Sequence, residues 1–267
     1  MQALVTPKLG KVKMKPIFGT NWKMRNATRE SARAYARSLD AASELQFLEL
    51  LFVMPPATLI RDMADVVSDS RIAIGAQNVH WAEEGEFTGE LSTELLKHEG
   101  ARIVLVGHAE RRLLFGETDE ILCKKVQRAF ADGLTVVLCV GDAEKDADNS
   151  AIKETLQRQL LADLKGSAVS AFNRLIIAYE PIWAIGARSE SAASPGRVAK
   201  GVEAVREGLR LFPSAQHVPI LYGGSVNLEN CADLMSDSGV DGLFVGRCAA
   251  TPEDFLTIIR KSLGAFP

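Results

Sequence analysis

Four polar residues in this chain stand at the ends of short apolar runs. They are Glu180 in Ala178-Tyr179-Glu180-Pro181, His108 in Gly107-His108-Ala109-Glu110, and Asn21 and Lys23 in Asn21-Trp22-Lys23. A carboxylate can take up a proton, an imidazole can donate or accept one, and an ammonium can hold negative charge on an oxygen. Asn21 and Lys23 are two residues apart, so on an extended strand they share a face. Glycine-rich steps recur at the same kind of position, in Gly223-Gly224-Ser225 and Gly246-Arg247. Each fragment alone has a plainer reading. A glutamate after a strand is usually solvated or ion-paired, a histidine after glycine usually caps or packs, and Gly-Gly-Ser is usually a turn. The elements must bring these residues together before they can do chemistry.

Apolar runs rich in β-branched residues predict strands at Ile17–Trp22, Leu48–Met54, Ile72–Gln77, Ile103–Gly107, Thr135–Val140, Leu175–Tyr179, Ile220–Gly223 and Gly242–Val245. Such runs mark strands buried on both faces of a parallel sheet. Amphipathic patterns predict helices at Ser31–Ala42, Glu120–Asp132, Ile152–Leu164, Arg197–Leu211 and Pro252–Leu263. Gly133 closes one of them, and Thr251-Pro252-Glu253-Asp254 opens another with a cap, a proline and first-turn acids. Strands alternating with helices from residue 16 onward predict an α/β fold, a (β/α)8 TIM barrel in a single domain; a doubly wound sheet is the alternative. In a barrel the polar strand ends converge on one rim, whereas the opposite strand ends carry no comparable set.

Composition agrees with such a fold. The chain has 267 residues, 47% hydrophobic and 24% charged, enough for a large core. A net charge of −3 gives no reason to expect nucleic acid or an anionic membrane as partner. Cys123, Cys139, Cys231 and Cys248 are too scattered for a metal or redox motif, and a reducing cytoplasm fits them. No run approaches the roughly 18 apolar residues of a membrane span. Residues 1–15 have no apolar core of a secretory signal and read as a mobile N-terminal extension, leaving 16–267 as the domain.

Taken together the motifs resemble the triosephosphate isomerase family. They are NWK (21–23), GAQN (75–78), FTGE (87–90), GHAERR (107–112), GET (116–118), AYEPIWAIG (178–186), YGGSV (222–226) and DGLFVGR (241–247). They cover nearly the whole chain after residue 16 in the family's order. The resemblance implies proton transfer between adjacent carbons of a small phosphorylated ketose or aldose, such as dihydroxyacetone phosphate and glyceraldehyde 3-phosphate, through an enediolate. It makes Glu180 the base and His108 a neutral electrophile, an arrangement for which this family is a standard illustration. Lys23, Asn21 and Glu110 match the remaining polar groups. Gly186, Gly224, Ser225 and Gly246 match the phosphate loops, and Pro181–Ala193 the lid. No step needs a metal or an organic cofactor. The resemblance also implies a homodimer formed through Asn78–Glu90, with Trp81, Phe87 and Thr88 in contact.

The sequence departs from the family pattern at several places. The lid segment Ala187–Pro195 is longer and lacks the usual ending. Arg247 stands where the family commonly has a second glycine, so it joins the residues expected at the phosphate end. Ala109 replaces a serine after the histidine, and Asp142 replaces a glutamate after the fifth strand. The first two features, with the run Gln77-Asn78-Val79-His80-Trp81, are similar to a branch of erythrulose-phosphate isomerases whose substrate is one carbon longer. A non-catalytic sugar-phosphate-binding barrel would be expected to have lost Glu180 or His108. A phosphosugar aldolase would need a Schiff-base lysine deep in a strand, where this sequence offers only Lys23.

Overall fold

The computed structural model describes residues 15–69, 71–185 and 192–264. Eight strands, β1 (Ile17–Asn21), β2 (Leu50–Met54), β3 (Ile72–Ala76), β4 (Ile103–Val106), β5 (Thr135–Val140), β6 (Leu175–Tyr179), β7 (Ile220–Tyr222) and β8 (Gly242–Val245), close into one barrel in sequence order. Every neighbouring pair is parallel, including β1 with β8. The helices are α1 (Arg29–Asp40), α2 (Ile60–Ala64), α3 (Thr93–His98), α4 (Ala109–Leu114), α5 (Asp119–Ala131), α6 (Asn149–Asp163), α7 (Pro195–Leu209), α8 (Cys231–Asp237) and α9 (Pro252–Gly264). The chain is therefore a (β/α)8 TIM barrel, and its fold is a single domain. The N-terminal extension expected at residues 1–15 lies, apart from Lys15, outside the described residues. Among the described residues no helix is long and apolar enough to cross a membrane.

Side chains alternate across each strand, which makes two cores. Inward residues such as Phe52, Met54, Leu105, Val137, Ile176, Leu221 and Phe244 fill the barrel. Outward residues such as Leu51, Val53, Val104, Val136 and Ile177 meet the helices in a larger cluster. Phe52 lies across the interior because Gly19 leaves room: a Cβ there would sit 2.0 Å from the ring. Truncating such a ring costs about 3–5 kcal/mol, so the barrel floor is a rigid base for whatever stands on the rim.

The elements begin and end where capping chemistry dictates. The Thr28 side chain accepts from Ser31 N–H, and Ser31 returns the bond to Thr28 N–H, opening α1. Ser194 caps α7 ahead of Pro195. Gly133, at φ +81, ends the turn after α5 as expected. Five strands are shorter than expected; β3 and β4 each stop one residue early, at Ala76 and Val106, and the other three are instructive. β2 starts at Leu50 because Leu48 is still tied to the 3-10 turn Ser43–Phe47, its N–H donating to Leu45. β1 ends at Asn21, so Lys23 is not on a strand; it adopts φ +53 beyond it. β7 likewise stops at Tyr222 rather than Gly223.

Candidate active site

The carboxyl ends of the strands enclose a cavity of about 460 Å³. Asn21, Lys23, His108, Glu110, Glu180, Gly224, Ser225, Gly246 and Arg247 all line it. Nine of the ten residues expected at the site thus share one space. The tenth, Gly186, lies outside the described residues, as do 187–191 of the expected lid.

Glu180 follows β6 directly and is 2% exposed. Its backbone N–H donates to Val140 on β5 at 2.8 Å. Two glycines make space for it. A Cβ on Gly141 would fall 1.9 Å from the Glu180 carbonyl oxygen, and one on Gly223 would fall 2.7 Å from its Cγ. Its Oε2 is buried and accepts no hydrogen bond among the described residues. Burial holds this carboxyl above the usual carboxylate range, although His108 and Lys23 pull it back down. An ionised, desolvated oxygen without a donor is a strong and available proton acceptor.

His108 is the N-cap of α4, and Gly107, at φ +78, turns the chain to place it there. The Nδ1 atom accepts the Glu110 N–H at 3.2 Å. A nitrogen that accepts has no proton, so the ring proton is on Nε2. That atom faces the cavity, 3.8 Å from Glu180 Oε2. The exposed amide at the helix start thus fixes the tautomer of the ring.

Lys23 carries the strained backbone of the site. Asn21 Oδ1 accepts its N–H at 2.8 Å, and Gln77 Nε2 donates to its carbonyl at 2.9 Å. Gln77 also reaches Met54 at 2.9 Å, so β2, β3 and the strained residue are tied together. The ammonium then meets Glu110 Oε1 at 2.6 Å. Gln77 is not among the expected site residues; its place two residues after Gly75 in GAQN was the available signal. The two arginines of GHAERR face elsewhere. Arg111 joins Glu117 at 2.6 Å, and Glu117 joins the buried Lys125 at 2.5 Å. Arg112 bridges Asp119 and Asp163 beneath the rim.

The glycine-rich end is formed by Gly224, Ser225 and Gly246, with Arg247 exposed at the head of the turn Arg247–Ala249. Ser225 Oγ donates to Ala184 at 2.9 Å, linking this end to the segment after Glu180. Asn227 and Cys248 also line the cavity, and no sequence motif pointed to them; Ala192, at the end of the expected lid, lines it too. One wall therefore offers a buried carboxylate, an imidazole and an ammonium, while Gly224, Ser225 and Gly246 line the other. Such a pair of walls can remove a proton from carbon, receive the charge on oxygen and hold an anion at a distance.

A closed parallel barrel with this rim is the architecture of a (β/α)8-barrel enzyme. Comparison with known proteins gives its family. The family model for triosephosphate isomerase matches residues 16–262. The chain is 38% identical to an L-erythrulose-1-phosphate isomerase of Rhizobium rhizogenes over 248 residues, covering 91% of this chain and 93% of that protein. It is 36% identical to a triosephosphate isomerase of Carboxydothermus hydrogenoformans over 252 residues, covering 93% and 99%. The chain belongs to the triosephosphate isomerase family and is an isomerase of that type.

Proposed function

We propose that the enzyme is an aldose–ketose isomerase that interconverts dihydroxyacetone phosphate and glyceraldehyde 3-phosphate. The observation carrying this reading is the buried Glu180 carboxylate, unpaired at Oε2 and 3.8 Å from His108 Nε2. Glu180 takes a proton from the carbon beside the carbonyl. The C–H electron pair becomes the C=C bond of an enediolate, and the carbonyl electrons move onto oxygen. His108 Nε2–H and the Lys23 ammonium stabilise that oxygen, with Asn21 and Glu110 holding Lys23 in place. His108 exchanges a proton between the two oxygens, and Glu180 returns its proton to the neighbouring carbon. Every atom of the substrate is kept, and the base is regenerated.

The phosphate group sits at Gly186, Gly224, Ser225 and Gly246. Its binding energy serves orientation and exclusion of water, which protects an enediolate phosphate from elimination. We also propose a homodimer joined through residues 78–90. Phe87, Met24 and Leu114 are exposed apolar side chains, 41%, 96% and 74% accessible, which a partner would cover. The four free cysteines support a cytoplasmic setting.

A tetrulose phosphate is the second substrate reading. It is favoured by Arg247 on the cavity wall and by the name of the Rhizobium relative. The test is kcat/KM for glyceraldehyde 3-phosphate against L-erythrulose 1-phosphate, in the wild type and in Arg247→Gly. A triose preference of about a hundredfold or more supports the first reading. A tetrulose preference that Arg247→Gly reverses supports the second. If the wild type turns over neither sugar phosphate, both are wrong.

A further inference from the structure

We propose that Arg197 is a positioning residue for Glu180, acting through a clamp centred on Asp142 that grips the chain on both sides of the base. The proposal rests on the reading of Glu180 as the base. Tyr179 immediately precedes Glu180, and its hydroxyl donates to Asp142 Oδ1 at 2.7 Å. Trp183 follows three residues later, and its Nε1–H donates to Asp142 Oδ2 at 3.3 Å. The Ile182 N–H donates to the Asp142 backbone carbonyl at 2.9 Å. One aspartate thus holds the residue before the base and two residues after it.

Arg197 completes the clamp from α7. Its Nη1 donates to the Tyr179 hydroxyl at 2.9 Å, and its Nη2 pairs with Asp142 Oδ2. The guanidinium carbon lies 5.5 Å from the centre of the Trp183 ring. Arg197 also donates to the Lys145 carbonyl at 3.3 Å and the Glu144 carbonyl at 3.5 Å, so it fixes the loop after β5 that carries Asp142. The Asp142 side chain is 4% exposed and that of Arg197 is 13% exposed. A carboxylate buried to that degree needs its cation, and losing one partner strands the other.

The clamp matters because Glu180 has no slack elsewhere. Gly141 lies against the Glu180 carbonyl and is itself pinned by Gln159, which bonds its N–H and its carbonyl at 2.9 Å each. Gly201 on α7 lacks a Cβ because the Tyr179 ring occupies that place, 2.1 Å from where the Cβ would be. Without Arg197 the Asp142 carboxylate gains by turning toward water, which releases Tyr179 or Trp183. The Glu180 carboxylate then moves while the phosphate end of the cavity does not. Displacing a reacting group by ~1 Å can cost on the order of a hundredfold in rate.

The test uses the full-length chain with Arg197→Met, Arg197→Lys, Asp142→Asn and the double variant Arg197→Met/Asp142→Asn. Steady-state kcat and KM are measured, together with inhibition by inorganic phosphate. Arg197→Met is expected to lose about 10- to 100-fold in kcat. KM and phosphate inhibition should stay within about twofold, because neither reads the base. Arg197→Lys should restore part of kcat, and the double variant should be no worse than the worse single variant, as members of one unit behave. A folded Arg197→Met enzyme with wild-type kcat overturns the proposal, as does a loss confined to KM and phosphate binding. If Arg197→Met does not fold, the double variant decides, since it leaves no buried charge unpaired: wild-type kcat overturns the proposal, and a 10- to 100-fold loss supports it. A wild-type enzyme inactive on every sugar phosphate would instead remove the assignment of Glu180 as base.

Discussion

Glu180 Oε2 and His108 Nε2 face the same point on the cavity wall at 3.8 Å, with side chains only 3% and 7% exposed. They follow different strands, β6 and β4, and no hydrogen bond joins them. A flat carbon–oxygen fragment beside both would meet the carboxylate with its C–H and the ring N–H with its oxygen. This division of labour predicts distinct losses. Glu180→Asp withdraws the carboxylate by one methylene and should lower kcat by about 10²–10³-fold. His108→Gln removes the fixed N–H and should cost a similar factor. KM should change by only a few fold in both. Steady-state kinetics checks this, and undiminished turnover by His108→Gln would remove that residue from the mechanism.

The buried state of Glu180 predicts a pH effect on stability as well as on rate. Burial raises its pKa in the folded chain, so the fold binds this proton more tightly than the unfolded chain does. Its contribution is fully present below the unfolded pKa and is lost as pH rises through the folded value. Glu180→Gln should therefore raise Tm relative to wild type at neutral pH, and the gain should vanish in acid. The same substitution should lower kcat by about 10³-fold. The acid limb of wild-type kcat/KM should fall at a higher pH than for an ordinary carboxylate. Thermal unfolding at pH 4 and pH 8 tests the stability half; a Tm gain larger in acid than at neutral pH would contradict it.

The barrel was readable because each strand is buried on both faces. β5, β6 and β8 begin and end where their apolar runs do. The short helices were not readable: α2 spans five residues and α3 six, too few to show a period of 3.6. Lys23 was misplaced on a strand because alternation with Asn21 is equally compatible with the turn that follows, and only its φ of +53 distinguishes them. At the site, Glu180 and His108 were legible from motifs of four to six residues. The Asp142 clamp was not, since its partners lie at 179, 183 and 197, and only the closed barrel brings β5, β6 and α7 together. Asp142 itself stood out only as a departure from the family pattern.

Gly223 predicts how little room the Glu180 side chain has. Its N–H donates to the Tyr179 carbonyl at 2.9 Å, so its backbone is fixed to the strand that carries Glu180. An added Cβ would lie 2.7 Å from Glu180 Cγ and 2.9 Å from Oε1. The backbone cannot retreat, and Gly223 has no positive φ to strain, so the whole conflict falls on the Glu180 side chain. Gly223→Ala should fold, at a cost of about 1–3 kcal/mol for the overpacked contact. Its kcat should fall about 10- to 100-fold because the carboxylate must leave its place beside His108. Inhibition by inorganic phosphate should be unchanged, since the displaced group is not part of the glycine-rich end. Gly224→Ala separates the two ends of the cavity: its Cβ would meet the Tyr222 hydroxyl at 2.2 Å rather than Glu180. That variant should disturb phosphate inhibition first. If Gly223→Ala keeps wild-type kcat, Glu180 has room to move and its placement is not what limits turnover.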